Sequence, residues 1–251
     1  MNNLAESSAS MKKTAFIKET HSTNNLLREM MREQSIPELF VLRTDFQTAG
    51  KGQTGNSWES AKGKNLLFST VIYPPHIAIE NQFIVSQMIS IAIKQTLDEY
   101  ADGFSVKWPN DIYWNDKKIA GILIENSLQA GKIKWMIIGV GLNVNQEVFK
   151  SDAPNPVSLK QITGKRQNRK KIIDTILSKM DILYKNINYS SVRAVYSESL
   201  YRKNGFYTFR ADGETFDACI SQVYPDGQLE LETKSGEIRR FYFKEVEYVK
   251  V

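Results

Sequence analysis

The sequence predicts an α+β protein with two parts: a mixed-sheet domain packed by helices, and a small all-β domain after it. Up to about residue 203, strand-like apolar runs alternate with segments of helical periodicity. From Asn204 onward, short alternating strands are separated by Asp-Gly and Ser-Gly turns. We therefore expect a main domain at residues 1–203, beginning with a disordered polar tail at 1–10, and a small β-barrel at 204–251.

Period-two and period-3.6 patterns predict the first half of the main domain. The run 65–73, NLLFSTVIY, is rich in β-branched and aromatic residues and ends at Pro74-Pro75, which is typical of a strong strand. The stretch His21-Ser22-Thr23-Asn24 offers a hydroxyl N-cap ahead of apolar positions at helical spacing. The predicted elements are strands at 16–19, 38–46 and 65–73, a helix entered at residues 21–24, and a long helix at 79–100.

The second half reads as a meander followed by helices and then the barrel. Asn115-Asp116 is a suitable two-residue turn between two strand-like runs, so a hairpin is predicted there. The predicted elements are strands at 104–107, 112–114, 118–125 and 132–141, helices at 168–188 and 191–203, and barrel strands at 206–210, 215–223, 228–232 and 238–243.

Composition excludes several classes of protein. Of the 251 residues 41% are hydrophobic, which suffices for a packed core. A single cysteine, Cys219, rules out an internal disulfide framework or a multi-cysteine metal site and points to a reducing compartment. We find neither a signal peptide nor a run of about 18 apolar residues, so we expect a cytoplasmic protein that does not enter the membrane. The net charge of +5 suits anionic ligands such as nucleotides.

A glycine-rich loop follows the predicted strand at 38–46. Its sequence Gly50-Lys51-Gly52-Gln53-Thr54-Gly55 has the G-x-G-x-x-G spacing of many phosphate-binding loops. A dinucleotide-binding fold needs a helix directly after the glycines, whereas a strand comes next here. The further motifs of a protein kinase are missing as well. The loop either presents backbone N–H groups and Lys51 to an anion, with Trp58 closing over a ring, or is an ordinary surface loop.

Three further segments place polar side chains near predicted strand ends. Lys107-Trp108-Pro109-Asn110-Asp111 ends a strand with a lysine, and the proline keeps the chain extended, so we expect Lys107 to face a cleft. The segment 118–125, KIAGILIE, follows. Then comes Gly139-Val140-Gly141-Leu142-Asn143, whose glycines leave room for a flat ligand. Together with the glycine loop, these segments predict one composite site.

The order of these segments resembles that of the biotin–protein ligases. The resemblance runs from about residue 16 to residue 145, and the small C-terminal β domain also fits. It implies a catalytic domain of the class II synthetase/biotin ligase type at 1–203, binding biotin and ATP, and an SH3-like barrel at 204–251. The segments that carry the resemblance are Ser22-Thr23-Asn24, Gln47, the loop 50–55 with Trp58, 107–111, 118–125 and 139–143.

The resemblance implies a two-step reaction. Biotin and Mg-ATP form biotinyl-5′-AMP and pyrophosphate, and a lysine of a biotin carboxyl carrier protein or domain then takes the biotin. Lys107 is the first candidate for an electrostatic clamp on the carboxylate and phosphate, with Lys118 and Lys51 second. Asn110 and Asp111 either help to bind Mg²⁺ or only shape the turn.

The resemblance also implies two sets of binding residues. Ser22 is either a biotin ligand or only a helix cap, and Glu125 is expected to be structural. The implied biotin-binding residues are Ser22, Thr23, Asn24, Gln47, Gly50, Lys51 and Lys107. The implied adenylate-binding residues are Gly50, Lys51, Gly52, Gln53, Gly55, Trp58, Asn110, Lys118, Gly121 and Asn143.

Two features depart from the family pattern. Arginines are common in the glycine loop of this family, but this chain has Lys51 and Gln53, which lack the bidentate guanidinium fork and leave tight adenylate retention open. The catalytic pattern begins near residue 16, so we expect no N-terminal helix-turn-helix domain and no specific DNA binding. The resemblance allows a homodimer. The alternative functions are a lipoate/octanoate–protein ligase-like acyl transferase and a non-catalytic biotin- or nucleotide-binding regulator.

Overall fold

A computed structural model describes residues 14–53, 55–150 and 155–249. The predicted tail at 1–10 lies outside these residues. The chain forms two sheets, with the first seven strands in one and the last five in the other. The helices are α1 (Thr23–Glu33), α2 (Phe83–Leu97), α3 (Leu159–Thr163), α4 (Arg169–Lys185) and α5 (Tyr189–Glu198), with a 3₁₀ turn at Ile79–Asn81.

The first sheet is mixed, in the strand order β1-β2-β3-β7-β6-β5-β4. Only the β1–β2 pair is parallel, and the other neighbours are antiparallel. All residues of β3 are buried, as its continuous apolar sequence predicts. The strands are β1 (Thr14–Ile17), β2 (Val41–Thr44), β3 (Leu66–Ile72), β4 (Phe104–Lys107), β5 (Asp111–Trp114), β6 (Lys117–Gln129) and β7 (Lys132–Leu142).

Helices cover both faces of this sheet. On one face, α1 packs on β3 and β7 over a small apolar cluster that includes Leu27, Val71 and Ile137. The next residue along β7, Ile138, points to the opposite face and joins the main core, because successive strand side chains alternate between faces. There α2 lies against the sheet and packs on α4 and α5. Thus α1 is the only α-helix of the described residues on its face, which leaves part of that face open.

The second sheet is antiparallel, in the order β11-β10-β9-β8-β12. It is docked on the first domain, because its buried residues Phe209, Leu229 and Leu231 belong to the same hydrophobic core as α2. Trp108 also reaches across, with its indole N–H donating to the carbonyl of Gly227 at 2.9 Å. The strands are β8 (Tyr207–Ala211), β9 (Glu214–Val223), β10 (Leu229–Thr233), β11 (Ile238–Phe241) and β12 (Glu247–Tyr248).

The predicted fold class is confirmed, and the differences lie in short elements and ends. The long helix predicted at 79–100 is a 3₁₀ turn followed by α2, and the last predicted helix ends at Glu198 rather than at 203. The sequence patterns missed α3 and β12, which have 5 and 2 residues and are too short to show periodicity. No helix in the described part of the chain is long and apolar enough to cross a lipid bilayer.

Candidate active site

A cleft opens on the face of the first sheet that carries α1. Gly121 of β6 and Gly141 of β7 are paired in register at its floor. The start of α1 forms one end, the loop 47–58 covers the cleft, and Phe243 reaches it from the C-terminal domain. Of the residues predicted for the site, those lining the cleft are Ser22, Thr23, Asn24, Gln47, Lys51, Gly52, Gln53, Trp58, Asn110, Asp111, Lys118 and Gly121.

The end of the cleft at α1 is a network of uncharged polar groups. Gln47 Oε1 accepts hydrogen bonds from the backbone N–H of Thr23 at 2.8 Å and from its hydroxyl at 3.1 Å. The hydroxyl of Ser69, wholly buried on β3, lies 2.7 Å from Thr23 Oγ1 and 2.5 Å from Asn24 Oδ1. Such groups offer both donors and acceptors, so this end is suited to a compact polar ligand group that carries both.

Two local features hold this end in shape. Ser22 is the N-cap residue of α1 and has extended backbone angles, but its side chain makes no capping hydrogen bond and lines the cleft instead. Gly139 lies below Asn24, and a Cβ at that position would overlap the Asn24 amide. The glycine therefore makes room for the asparagine rather than for a ligand.

The loop over the cleft is a tight turn that brings Trp58 onto the glycine floor. The backbone N–H of Gly52 donates to the backbone carbonyl of Asn56 at 2.8 Å. The backbone N–H of Trp58 donates to the backbone carbonyl of Gly50 at 2.9 Å. Gly55 has a φ of +85°, which explains a glycine there. A Cβ on Gly141 would overlap the Trp58 indole, so the two glycines of the floor provide a flat seat for this ring.

With Trp58 in this position the cleft is small. It encloses about 120 Å³, below the roughly 300–1,000 Å³ of typical small-molecule sites. Within the described part of the chain, the indole N–H of Trp58 and Oε1 of Gln53 are buried without a hydrogen-bond partner. Buried polar groups are normally paired, so both atoms are expected to gain partners when the loop rearranges around a ligand.

One charged pair lies beside the floor. Lys118 Nζ is 2.7 Å from the carboxylate of Asp111 and 5.9 Å from the centre of the Trp58 ring. The side-chain amide of Asn110 is buried and donates to the carbonyl of Ile122, which secures the turn before β5. The cleft thus combines a polar end, a flat aromatic surface and one lysine held by a carboxylate.

Comparison with known proteins agrees with this geometry. A profile of the biotin/lipoate A/B protein ligase family matches residues 16–143, about half of the chain. The chain belongs to this family. The bifunctional ligase/repressor BirA of Bacillus subtilis is 28% identical over 235 residues, which cover 90% of this chain and 71% of that protein.

Solved structures show the fold that members of the biotin/lipoate A/B protein ligase family share with this chain. The biotin protein ligase from Aquifex aeolicus in complex with biotin and ATP has a TM-score of 0.78 at 24% identity, covering 95% of this chain and all of that one. The biotin acetyl coenzyme A carboxylase synthetase from Helicobacter pylori with bound biotinylated ATP has a TM-score of 0.63 at 23% identity, covering 91% and 99%. Both cover the C-terminal sheet as well as the first.

Lys107, the first candidate for the clamp in this family member, does not line the cleft. Its Nζ lies 4.9 Å from the ring centre of Tyr113 and 5.0 Å from that of Tyr248, and 3.3 Å from the Tyr113 hydroxyl. Burial raises the pKa of both tyrosines, so they stay neutral and act as aromatic partners of the ammonium group. The ammonium group of Lys107 thus lies at the junction with the C-terminal domain, one strand pair away from the cleft residue Asp111, and its role as the clamp stays a prediction.

Three other residues that were predicted for the site, Asn143, Gly50 and Gly55, lie near the cleft without lining it. Asn143 is buried, its Oδ1 accepts from Asn65 at 3.4 Å, and its backbone N–H donates to Ile119. Its side-chain oxygen is thus turned toward Asn65, and its contact with the adenylate stays a prediction. Gly50 lies below the carbonyl of Trp58, and Gly55 is at the outer tip of the turn.

Several residues of the cleft, and one of the polar network behind it, were not predicted from the sequence. Ser69, in that network, lies within an apolar strand, where an isolated serine is a weak signal that a buried hydroxyl has a polar partner. Phe243 lies 100 residues after Asn143, the last motif residue, and nothing in its local pattern links it to the motifs. Asn56 and Ser57 complete the lining from the glycine loop.

Proposed function

We propose that this chain is a biotin–protein ligase that activates biotin with ATP and transfers it to a lysine of a biotin carboxyl carrier domain. In the first step, a carboxylate oxygen of biotin attacks the α-phosphorus of ATP, giving biotinyl-5′-AMP and pyrophosphate. In the second, the ε-amine of the carrier lysine attacks the carbonyl carbon, forming an amide and releasing AMP and a proton. Its family membership and its relatives support this activity.

One observation carries the assignment of roles: a single cleft combines a polar end, an aromatic surface and a lysine paired with a carboxylate. We assign the biotin head group to Ser22, Thr23, Asn24 and Gln47, because a cyclic urea carries both N–H donors and a carbonyl acceptor. We assign the clamp on the carboxylate and phosphate to Lys118, because of the three candidate lysines it alone lies beside the floor in the ion pair with Asp111. Lys51 supports it from the loop.

The first step joins two anions, so its barrier falls when the protein neutralises charge and aligns the reacting atoms. Lys118 would leave Asp111 in part to contact the oxygens on which charge develops. Trp58 would rise from the glycine floor and pack against the adenylate, and closure of the loop at residues 50–58 would exclude water from the mixed anhydride.

A magnesium ion fits this cleft as a partner of the nucleotide. Mg²⁺ in nucleotide sites is commonly held by one or two carboxylates together with substrate phosphates. Among the described residues, Asp111 is the one carboxylate that lines the cleft, and no cluster of three or more His, Cys, Asp or Glu side chains could hold a metal alone. Asp111, with Asn110 beside it, would hold the ion, which would neutralise phosphate charge when bound.

The proposal also covers the cellular compartment of the protein, the role of its C-terminal domain and its partners. We place the protein in the cytoplasm, where a free cysteine such as Cys219 stays reduced. The C-terminal domain contributes Phe243 to the cleft, so we propose that it helps to form the site in the complex with the carrier. Among the described residues β1 lies at an edge of its sheet, and we propose this edge for a homodimer.

ATP–pyrophosphate exchange with purified protein and Mg²⁺ tests the function, with biotin, lipoate and octanoate in separate reactions. We expect exchange with biotin alone, because the head-group end of the cleft is lined by hydroxyl and amide groups that an alkyl chain would leave unpaired. Exchange with octanoate or lipoate instead would retain the adenylation chemistry and refute the head-group assignment. No exchange with any of the acids would favour a binding protein without turnover.

A further inference from the structure

A continuous chain of hydrogen bonds runs from the cleft to a carboxylate outside it. Beyond Gln47, Thr23, Ser69 and Asn24, the chain continues to Glu125, whose Oε2 accepts from Asn24 Nδ2 at 2.8 Å. Glu125 Oε1 in turn lies 2.5 Å from a guanidinium nitrogen of Arg28. The three central residues are at most 4% exposed, so water does not compete for their polar groups.

At both ends of this chain of hydrogen bonds, the chemistry of the groups fixes which one donates and which one accepts. A carboxylate and a backbone carbonyl can only accept hydrogen bonds. The Asn24 amide therefore turns its NH₂ group to Glu125 at 2.8 Å and to the carbonyl of Leu123 at 3.3 Å, and its oxygen to Ser69. At the other end, the backbone N–H of Thr23 can only donate, so Gln47 must present its oxygen there and keep its NH₂ group for the cleft. Chemistry thus determines the orientation of both amides.

Because each end of the chain is fixed as a donor or as an acceptor, the hydroxyl groups between them must donate their protons within the chain. Asn24 Oδ1 is an acceptor, and Ser69 has a single proton, which must go to it. Thr23 therefore cannot accept from Ser69 and donates its own proton within the chain, to Ser69 or to Gln47. The lone pairs of Thr23 Oγ1 are then available to a ligand N–H, while Gln47 offers a donor beside it.

We infer that Glu125 is a positioning residue that sets ligand specificity at the head-group end, by fixing the direction of the hydrogen-bond chain through Asn24 and Ser69. This rests on the proposed function, because a cyclic urea is the ligand group that needs an acceptor for N–H and a donor for C=O together. A glutamine at position 125 would replace the charged, closer acceptor of the Asn24 NH₂ group by an amide that can also donate, and would leave the Leu123 carbonyl at 3.3 Å as the one acceptor-only partner. The direction of the chain, and with it the acceptor role of Thr23, would then be held less strongly.

The test compares Glu125→Gln with Arg28→Gln in biotin-dependent pyrophosphate exchange. We expect E125Q to raise the KM for biotin roughly 10-fold or more, from mismatched buried hydrogen bonds, with kcat within about twofold of the unaltered protein. R28Q removes the ion pair but leaves an acceptor-only carboxylate, so we expect a KM change below about threefold. Glu33→Gln, at the exposed end of α1, controls for the loss of one negative charge.

A second variant keeps the test decisive if E125Q folds poorly. Ser69→Ala removes the hydroxyl that links Asn24 to Thr23 and carries the hydrogen-bond direction between them. It should therefore raise the KM for biotin by a similar factor. The double variant with E125Q and S69A should raise the KM for biotin little more than either single variant, because both substitutions interrupt the same chain of hydrogen bonds. Equal effects of E125Q and R28Q, or an unchanged KM in E125Q or S69A, would overturn the inference. Absence of exchange by the unaltered protein would instead remove the proposed function, and the inference with it.

Discussion

Two lysines from neighbouring motifs lie in different surroundings in this protein. Lys118 is paired with Asp111 beside a flat aromatic ring in the ligand cleft. Lys107 lies between Tyr113 and Tyr248 at a separate cavity between the two domains, with Tyr201 and Arg202 nearby. A lysine that lines the cleft and is held by a carboxylate can exchange that partner for a ligand anion, whereas the ring contacts of Lys107 link the first domain to the C-terminal one. Two lysines of neighbouring motifs are therefore expected to differ in role.

The largest effect should come from the cleft lysine. Lys118→Ala removes the charge that we assign to the developing anion, so we expect the adenylation rate to fall by about 10²–10³. Lys107→Ala should cost less than about tenfold, because Lys107 lies at the cavity between the domains and not in the lining of the cleft. Pyrophosphate exchange at saturating biotin and ATP measures both. If K107A were the more damaging change, the assignment of the two lysines would have to be reversed.

The next largest effect on catalysis is expected from a substitution in the floor of the cleft. Gly141→Ala places a methyl group where the Trp58 indole lies, so the ring must move and the loop at residues 50–58 loses its seat. We expect kcat/KM for biotin to fall about 10- to 100-fold, consistent with about 1–3 kcal/mol of overpacking.

Gly131→Ala, in the turn between β6 and β7, is the control for G141A. It changes the same residue type in open space at a φ of +71°, so it should lower stability without altering exchange. Thermal unfolding of both variants separates a loss of fold from a loss of the cleft. Normal kinetics in G141A would mean that Trp58 does not use this floor.

The junction lysine should affect stability more than chemistry. Lys107→Met keeps most of the side-chain volume and removes the ammonium group from Tyr113 and Tyr248. We expect the free energy of unfolding to fall by about 1 kcal/mol, and Tm by about 2–4 °C. Calorimetry with exchange kinetics on the same samples would show this. A Tm equal to that of the unaltered protein would mean that the two ring contacts contribute no stability.

The smallest effect is predicted for the hydroxyl of Tyr248. This group is buried and has no hydrogen-bond partner among the described residues, so Tyr248→Phe removes a polar atom that they leave unpaired and keeps the ring beside Lys107. We expect the free energy of unfolding to be unchanged or to rise by up to about 1 kcal/mol. A clear loss of stability in urea unfolding would indicate that the hydroxyl makes a bond in solution.

Much of the fold could be predicted from local patterns. Period-two runs located β3, β6 and β7, and the Asn115-Asp116 turn placed the hairpin, because these features depend on residues close in the chain. Most candidate site residues also line one cleft, since they belong to motifs whose residue types suit polar and anionic ligands. Ser69 and Phe243 were missed because their partners are distant in sequence.

The sequence by itself determined the set of chemical groups: hydroxyls and amides at the start of α1 and after β2, glycines on β6 and β7, and lysines in two motifs. Only the tertiary structure decided which groups face each other. β5 shifts register between Ile112 and Tyr113, and Tyr248 on β12 comes from the far end of the chain to meet Lys107. Side-chain direction at strand ends depends on such non-local packing, which local patterns do not contain.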